Sequence, residues 1–230
     1  MQVSVVIPSY NGKKLLKKYL PKVLIAAPGS EIIIVDDAST DGSVQYIKEN
    51  FPQIKIISNE KNMRFALACN IGVRAASGKI IILLNNDVVP KRNFLFFLLR
   101  HFQDPKVFSV GCREIEQRQG KDIVSGRTEG EFQRGFLTHW KPKDQESSDT
   151  RWTFGGSMAV SRQKYLKLGG MDPLFAPAYW EDIDLCWRAR QRGWKIIFEK
   201  NAIVWHQHES TNKAVFGKRQ MEIMSYRNQL

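Results

Sequence analysis

Residues 79–90 read KIIILLNNDVVP: a run of branched aliphatic residues breaks into Asn85, Asn86 and Asp87, continues with two valines and stops at Pro90. A short apolar run bounded by polar residues and proline predicts a strand that is buried on both faces. Asn-Asn-Asp followed by Val-Val makes a poor turn. A polar cap of the strand is the structural alternative, but the sequence favours a functional role for these three side chains.

Three further apolar runs precede this one, and helical patterns separate them. The predicted strands span residues 3–7, 32–35, 54–57 and 80–84. Pro90 suits the first turn of the next predicted helix, over residues 91–102. Alternating strands and helices predict right-handed crossovers and a mostly parallel sheet of the α/β class. Ligands bind to such sheets outside the carboxyl ends of the strands.

Polar or aromatic residues follow three of these strands, at residues 8–11, 36–37 and 85–87. Asp37 could accept a hydrogen bond from a nucleobase or a ribose there, although the stretch DDASTDGS also suits a helix cap. Asp87 is a hard oxygen ligand, which suits Mg²⁺ or Mn²⁺ bound to a diphosphate. The sequence has neither G-x-G-x-x-G after the first strand nor G-x-x-x-x-G-K-[ST], which argues against a dinucleotide site and a P-loop ATPase.

The second half of the chain is less regular. Residues 113–151 are rich in charge and glycine, which predicts a long loop or a pair of short strands over the sheet edge. A strand follows over WTFGGSMAVS, then a helix over EDIDLCWRARQRG and strands near residues 195–198 and 202–205. The last helix, from about residue 213, reaches the final residue without a stop signal, so we expect the natural chain to continue.

The helix that begins at Glu181 carries a second group of carboxylates. Acidic residues in a first turn interact favourably with the helix dipole, which is the structural alternative. Asp182 follows Trp180 and Glu181 at the start of this helix, where a base could take a proton from an acceptor hydroxyl. Asp184 and the arginine four residues later are predicted to pair on the solvated face.

Two histidines, His206 and His208, stand just past the last predicted strand. Neutral imidazole is a common ligand of divalent metals, so metal binding is one interpretation and a surface or hydrogen-bonded role is the other.

The net charge of +12 over 230 residues implies a polyanionic neighbour: nucleic acid, an anionic membrane face or a phosphate-bearing substrate, with solubility charge as the alternative. The stretch KRNFLFFLLRH is more apolar than one buried helix stripe requires, which fits either lipid contact or a helix buried on two sides. The chain shows no signal-peptide layout, and its three cysteines are unpatterned. We therefore expect a reducing, cytoplasmic setting.

Seven stretches, in order, resemble glycosyltransferase family 2, the inverting nucleotide-sugar enzymes with the GT-A fold, and in particular its rhamnosyltransferase-like members. They are VSVVIPSYNG, EIIIVDDASTDGS, NEKNMRFALACNIGV, IILLNNDVVP, FGGSMAVSR, WEDIDLCWR and VWHQHES. The resemblance implies one GT-A domain over residues 1–230, with a Rossmann-like, mostly parallel sheet sandwiched by helices. Its nucleotide-sugar half would span about residues 1–105, and a mixed acceptor-binding half about residues 106–230.

The resemblance also assigns roles to individual residues. Asp182 would be the catalytic base, and Asp87 and His206 would hold a divalent cation, Mn²⁺ or Mg²⁺. The nucleotide-sugar contacts would be Pro8, Tyr10, Asn11, Asp37, Arg64, Asn85, Asn86 and Asp87, and the acceptor contacts Gly155, Gly156, Trp180 and Glu181. The chain departs from the family pattern in two places: amides stand at 85 and 86 where many members carry aspartate, and Arg64 stands where many carry glycine.

The activity that the resemblance implies is metal-dependent transfer, with inversion, from a UDP- or dTDP-sugar to a hydroxyl of a glycan or lipid-linked acceptor. The setting would be cell-surface polysaccharide or cell-wall biosynthesis, in the cytoplasm or peripherally at the anionic inner face of the cell membrane, with no nucleic acid partner. The alternatives are a non-catalytic sugar-nucleotide or membrane-surface binding module and a sugar nucleotidyltransferase. The latter should carry a basic, glycine-rich loop after the first strand, where this chain has Ser9, Tyr10, Asn11 and Gly12.

Overall fold

Four parallel strands form one half of a nine-stranded sheet in the computed structural model. The structure describes residues 2–206 and 211–229, except for the side chains of residues 211–216 and 218. The strands are β1 (Val3–Ser9), β2 (Glu31–Asp36), β3 (Lys55–Ser58) and β4 (Ile80–Leu84), in the order β3-β2-β1-β4. Helices α1 (Lys13–Ala26), α2 (Ser43–Asn50) and α3 (Arg64–Ala75) connect them. The predicted α/β alternation and parallel pairing are confirmed.

Alternation along the strands sends apolar side chains into two separate cores. Val5 and Ile7 pack with the buried stripe of α1 on one face of the sheet. Val6, between them, packs with α3 on the other face. Because both faces are covered, each strand reads as a nearly continuous apolar run, which is the pattern of KIIILL.

The other half of the sheet is mixed. Its strands are β5 (Val88–Pro90), β6 (Val107–Arg118), β10 (Ser157–Ser161) and β11 (Lys195–His206), in the order β4-β10-β6-β11-β5. β10 is antiparallel to both β4 and β6, β11 is parallel to β6, and β5 is antiparallel to β11. The helices of this half are α4 (Phe94–Leu99), which a 3₁₀ turn (Arg100–Gln103) extends, α5 (Arg162–Lys167), α6 (Glu181–Gln191) and α7 (Thr211–Gln229), which is kinked at the non-helical Gly217.

Several predicted boundaries in this half are wrong. Pro90 ends β5 opposite Val204 instead of opening a helix, and α4 begins at Phe94. A proline is tolerated there because β5 is the edge strand of the sheet. The two strands predicted near residues 195–198 and 202–205 are one strand, β11, with an irregularity between Glu199 and Ile203.

The stretch predicted as a long loop or two short strands contains more strand than expected. The end of β6 pairs with β7 (Lys121–Ser125), and β8 (Glu129–Gln133) pairs with β9 (Phe136–Trp140) as a separate hairpin. Many side chains of these hairpins are exposed, so the sequence lacks the apolar alternation that reveals a half-buried strand. The glycine pair of WTFGGSMAVS lies in the loop before β10.

Helix α3 lies close against the sheet at Gly72, and this contact leads to a test. A Cβ added there would lie 2.3 Å from Val6 Cγ1 and 2.9 Å from Val35 Cγ2. We expect Gly72→Ala to lower the free energy of unfolding by about 1–3 kcal/mol, because the helix must move off the sheet. Urea titration measures the change. Arg74→Ala, on the exposed side of the same helix, is the control and should shift stability by less than about 0.5 kcal/mol; equal stability of Gly72→Ala and the control would contradict this packing.

Candidate active site

The carboxyl ends of β1 and β2 carry two loops that bond to each other. The Asn11 backbone N–H donates to Ser39 Oγ at 2.9 Å, and the Thr40 backbone N–H donates to Asn11 Oδ1 at 2.8 Å. Tyr10 lies beside them with its side chain exposed, and Pro8 is partly buried at the end of β1. The structure thus places these predicted nucleotide contacts at one edge of the sheet, with Asn11 in a bracing position.

The carboxylate of Asp37 is buried and holds the loop that leads into α3. It accepts hydrogen bonds from the backbone N–H groups of Met63 at 2.7 Å and Arg64 at 2.9 Å, and from Asn59 Nδ2 at 2.8 Å. Arg64 has a φ of 70°, a conformation that is unfavourable for a residue with a Cβ. Asp37 therefore fixes the backbone of Arg64 at this edge, a structural role that the sequence did not predict. A carboxylate offers about four acceptor sites and Asp37 uses three of them, so it can still accept a hydrogen bond from a bound nucleotide.

Asn85 and Asn86 fit against glycines of two different loops. Asn86 Nδ2 donates to Ser9 Oγ at 3.0 Å and would lie 2.5 Å from a Cβ added to Gly12. Asn85 donates its backbone N–H to the Gly156 carbonyl at 2.9 Å, and its Nδ2 would lie 2.5 Å from a Cβ at Gly156. The two amides brace the turn before Asp87 without adding charge.

Asp87, His206 and Glu114 form a buried row of charged side chains. The antiparallel pairing of β5 with β11 sets His206 opposite Val88, so its Nε2 lies 3.2 Å from Asp87 Oδ1. On the other side of the ring, Nδ1 lies 3.2 Å from Glu114 Oε2, and Glu114 Oε1 accepts a hydrogen bond from Ser157 at 2.5 Å. His208 lies outside the described residues.

Burial alone would lower the pKa of His206, but its contacts with Asp87 and Glu114 outweigh burial and raise the pKa to about 10. The ring is therefore a cation between two carboxylates when nothing else balances their charge.

The Asp87 and His206 pair fits the predicted cation. Asp87 Oδ1 is buried and lies 3.2 Å from His206 Nε2, and a carboxylate oxygen beside an imidazole nitrogen is a suitable donor set for a divalent cation. Glu114 contacts the far nitrogen of the ring, as the partners of metal-bound histidines do. No group of three or more His, Cys, Asp or Glu side chains within residues 2–206 and 211–229 is arranged to hold a metal by itself.

Asp182 lies in the first turn of α6, where its carboxylate bridges two chain segments. Oδ2 accepts from the Gly155 backbone N–H at 3.1 Å, and Oδ1 accepts from the Ile183 backbone N–H at 2.9 Å. A Cβ added to Gly155 would lie 3.5 Å from Asp182 Cβ and 3.1 Å from Met171 Cε. Since the next residue, Gly156, receives the bond from Asn85, two consecutive glycines connect the turn that carries Asp87 to the base predicted on α6.

The residues that lead into α6 have unusual backbone conformations. Tyr179 and Trp180 have φ values of 76° and 78°, and Trp180, which is buried, is the N-cap residue of α6. Consecutive non-glycine residues with positive φ persist only where surrounding contacts enforce them, and such strain clusters at functional sites.

Burial raises the pKa of Glu181 to about 8, and the neighbouring charge of Asp182 adds to the effect. Glu181 Oε2 has no hydrogen-bond partner among the described residues, so the neutral acid is the favoured form at neutral pH. Burial also raises the pKa of Asp182, while the N–H donors of Gly155 and Ile183 oppose the rise. Two adjacent carboxyl groups with different environments are a common arrangement in acid–base sites.

Two features near this helix differ from or add to the sequence prediction. Asp184 does pair with Arg188, at 2.6 Å, but the pair is only about a quarter exposed, and Arg188 also donates to the carbonyls of Leu168 and Gly170. Its role is to hold the preceding loop.

Glu114 was missed because it lies within the irregular stretch and reaches His206 only through the pairing of β6 with β11.

The chain matches the model of Glycosyl transferase family 2 over residues 4–169 and therefore belongs to that family. It is 27% identical over 210 residues to a pre-mycofactocin glycosyltransferase of Mycobacterium tuberculosis, which covers 90% of this chain and 43% of that protein. A poly-beta-1,6-N-acetyl-D-glucosamine synthase of Staphylococcus epidermidis is 25% identical over 215 residues, 88% of this chain and 49% of that one. The chain spans about half the length of these curated relatives.

Solved structures show the same fold. The structure of GalNAc-T7 with UDP, GalNAc and Mn²⁺ superposes with a TM-score of 0.77 at 20% identity and covers 100% of this chain and 47% of that chain. A mannosyltransferase from Pyrobaculum calidifontis in complex with GDP-Man and Mn²⁺ gives a TM-score of 0.69 at 21% identity over 91% of this chain and 58% of that chain. The predicted GT-A fold is confirmed.

The neutral form of Glu181 makes stability depend on pH. Folded Glu181 keeps its proton up to about pH 8, whereas an ordinary glutamic acid releases it near 4.5. In this window the folded state binds more protons, so stability falls as pH rises, by up to about 1.4 kcal/mol per pH unit from this group. We expect Glu181→Gln to reduce the loss of unfolding free energy between about pH 5 and about pH 8. Urea titrations at both pH values measure it, with exposed Glu60→Gln as the control; parallel profiles for all three proteins would contradict a neutral Glu181.

Proposed function

We propose that the protein transfers a sugar, with inversion, from a UDP- or dTDP-sugar to a hydroxyl of a glycan or lipid-linked acceptor in cell-surface polysaccharide or cell-wall biosynthesis. The observation that carries the proposal is the connection through Gly155 and Gly156. These residues bond to Asp182 and Asn85 respectively, so the proposed base and the proposed metal turn belong to one site. Family membership and the GT-A fold support this class of activity.

The donor belongs in the first half of the chain, about residues 1–105. Tyr10 offers an exposed aromatic face for a base, and Asp37 and Arg64 stand at the neighbouring strand end. Pro8 and Asn11 would lie beside the base, and Asn85 and Asn86 beside the ribose and diphosphate. The relatives support a nucleotide-sugar donor, since solved neighbours hold UDP, GDP-Man and UDP-GlcNAc.

Asp87 and His206 would hold the divalent cation, Mn²⁺ or Mg²⁺. When bound, the cation neutralises charge on the departing nucleoside diphosphate. The chain supplies these ligands from a turn before β5 and the end of β11, and Glu114 fixes the orientation of the ring.

The acceptor belongs in the second half, about residues 106–230, beside Trp180, Glu181 and the two glycines. Asp182 takes the proton of the acceptor hydroxyl as its oxygen forms the new bond to the anomeric carbon and the bond to the diphosphate breaks on the opposite face. Its raised pKa makes Asp182 a stronger base than an exposed carboxylate. A neutral Glu181 beside it leaves the negative charge of the site on Asp182.

A non-catalytic binding module is the second candidate, and the amides at 85 and 86 are the observation that favours it. However, Asn85 bonds to Gly156 and Asn86 bonds to Ser9, so these contacts give the two amides a structural role. Asp87 is then the one residue of the three that is proposed to bind the cation. A sugar nucleotidyltransferase has less support, because its basic, glycine-rich loop is replaced by Ser9, Tyr10 and Asn11.

Asp182→Asn tests the base directly. We expect transfer to fall by about 10²–10⁴-fold, because an amide cannot take the acceptor proton, while affinity for the donor stays unchanged. The donor is chosen from a panel of UDP-, dTDP- and GDP-sugars as the one with the largest thermal shift in the presence of Mn²⁺. Release of nucleoside diphosphate gives the rate and calorimetry gives the affinity. Asp122→Asn, on an exposed hairpin, is the matched control; near-normal turnover in Asp182→Asn would overturn the assignment.

We also propose peripheral contact with an anionic membrane face on the cytoplasmic side. No helix within residues 2–206 and 211–229 combines the length and apolar character that crossing a bilayer requires. Helix α4 buries Phe94 and Leu98 and packs Leu95, Phe97 and Leu99 partly against the core, but Phe96 is 69% exposed, so one large apolar side chain of this helix faces solvent. Exposed Lys91 and Arg92 precede it, and an aromatic residue beside basic residues suits a lipid interface.

Co-sedimentation with vesicles tests this contact. At low salt we expect the protein to bind vesicles that contain phosphatidylglycerol and not vesicles of phosphatidylcholine alone, because the attraction is electrostatic. The variant Phe96→Ala with Lys91→Glu and Arg92→Glu should lose most binding. Phe136→Ala, at an exposed aromatic residue on the β8–β9 hairpin, should keep it. Equal sedimentation of the triple variant and the native protein would refute this surface.

A further inference from the structure

The last turn of α7 bonds to the loop that precedes α6. Asn228 Nδ2 lies 3.1 Å from the carbonyl oxygens of Phe175 and Ala178 and 2.9 Å from that of Tyr179. Arg227 Nη2 donates to the Ala176 carbonyl at 2.6 Å. The two N–H bonds of Asn228 are thus shared among three carbonyls of residues 175–179, and Arg227 donates to a fourth.

The same loop contains the strained entry into α6. Tyr179 and Trp180 both have positive φ, a conformation that needs external support in residues with a Cβ. Part of that support comes from α7, since Asn228 binds the Tyr179 carbonyl and Ser225 Oγ accepts a hydrogen bond from Trp180 Nε1 at 3.2 Å.

The conformation of Trp180 sets the direction of the first turn of α6. Its carbonyl accepts the first helical hydrogen bond, from Asp184 at 2.9 Å, and Glu181 and Asp182 lie between the two bonded residues. A change in φ at Trp180 therefore moves the Asp182 carboxylate relative to Gly155.

Helix α7 also holds the other side of this region. Gln229 Nε2 donates to the Leu137 carbonyl on β9 at 2.8 Å, and the ring of His139, on the same strand, lies 5.3 Å from the ring of Trp180 in an edge-on arrangement. The end of α7 thus joins the β8–β9 hairpin to the loop before α6.

We propose that Ser225, Arg227 and Asn228, which we call the α7 latch, are positioning residues for Asp182. The latch keeps Tyr179 and Trp180 in their strained conformations and so holds the carboxylate where the acceptor hydroxyl must lose its proton. This inference rests on the proposed function, because it assigns the latch to the base of that reaction. The donor edge at β1, β2 and β4 has a separate set of contacts, so the latch should act on the chemical step and leave donor binding intact.

Asn228→Asp is the sharpest test, because it keeps the shape of the side chain and replaces the NH₂ donor with an oxygen that the three carbonyls repel. We expect kcat to fall by between about tenfold and a hundredfold, as a displacement of about 1 Å produces, with donor KM within about twofold of the native value. Asn228→Gln retains the donor and should recover part of kcat. Tyr226→Ala, at a residue that is 70% exposed on the same helix, is the control and should match the native enzyme.

Amide hydrogen exchange provides a readout that needs no turnover. Exchange at residues 179–184 should be faster in Asn228→Asp than in Tyr226→Ala, while exchange in β1 and β4 stays the same. If no donor supports transfer but exchange changes in this way, the proposed function fails and the structural part of the latch stands. Two results would overturn the proposed role of the latch. One is unchanged kcat with unchanged amide exchange at residues 179–184 in Asn228→Asp, and the other is an equal loss of donor affinity and kcat.

Discussion

Two consecutive glycines carry the constraint on which the candidate site depends. Gly155 donates its N–H to Asp182, and the Gly156 carbonyl accepts from Asn85 at the end of β4. A Cβ at Gly156 would lie 2.5 Å from Asn85 Nδ2, so a side chain there would force the Asn85 amide to move. The antiparallel pairing of β10 with β4 continues directly from this contact. Because the two bonds come from consecutive residues, the turn that carries Asp87 and the start of α6 are joined through one short stretch of backbone.

The second half of the sheet brings a later part of the chain back to the edge that carries Asp87. β11 runs parallel to β6, and β5 pairs with its last residues, so His206 arrives beside Asp87 with Glu114 behind it. Ion pairing helps this row to be buried: one imidazolium contacts both carboxylates, and burial without such pairing would be costly. The site is thus assembled from strand ends, while the hairpins and α7 complete the side where the acceptor is proposed to bind.

Sequence reasoning recovered what is local and periodic. The parallel strands and the edge that gathers Tyr10, Asp37 and Asp87 follow from apolar runs and from where they stop. The edge strand β5 was missed because three residues are too few to show an alternation of apolar and polar side chains, and because Pro90 is also common in the first turn of a helix. The roles of Glu114 and Asn228 depend on pairings between distant segments, which no local pattern encodes. The β6–β7 and β8–β9 hairpins were not predicted in detail, because their exposed side chains do not alternate between apolar and polar.

In the proposed reaction, one edge of the sheet holds a nucleotide-bound cation through Asp87 and His206 and places Asp182 next to the acceptor. A crystal structure with UDP and Mn²⁺, with the metal located by its anomalous scattering, tests it most directly. We expect an anomalous peak within about 2.0–2.3 Å of an Asp87 oxygen and of His206 Nε2, with the diphosphate as a further ligand. A peak that contacts neither side chain, or a nucleotide bound away from the ends of β1, β2 and β4, would contradict it.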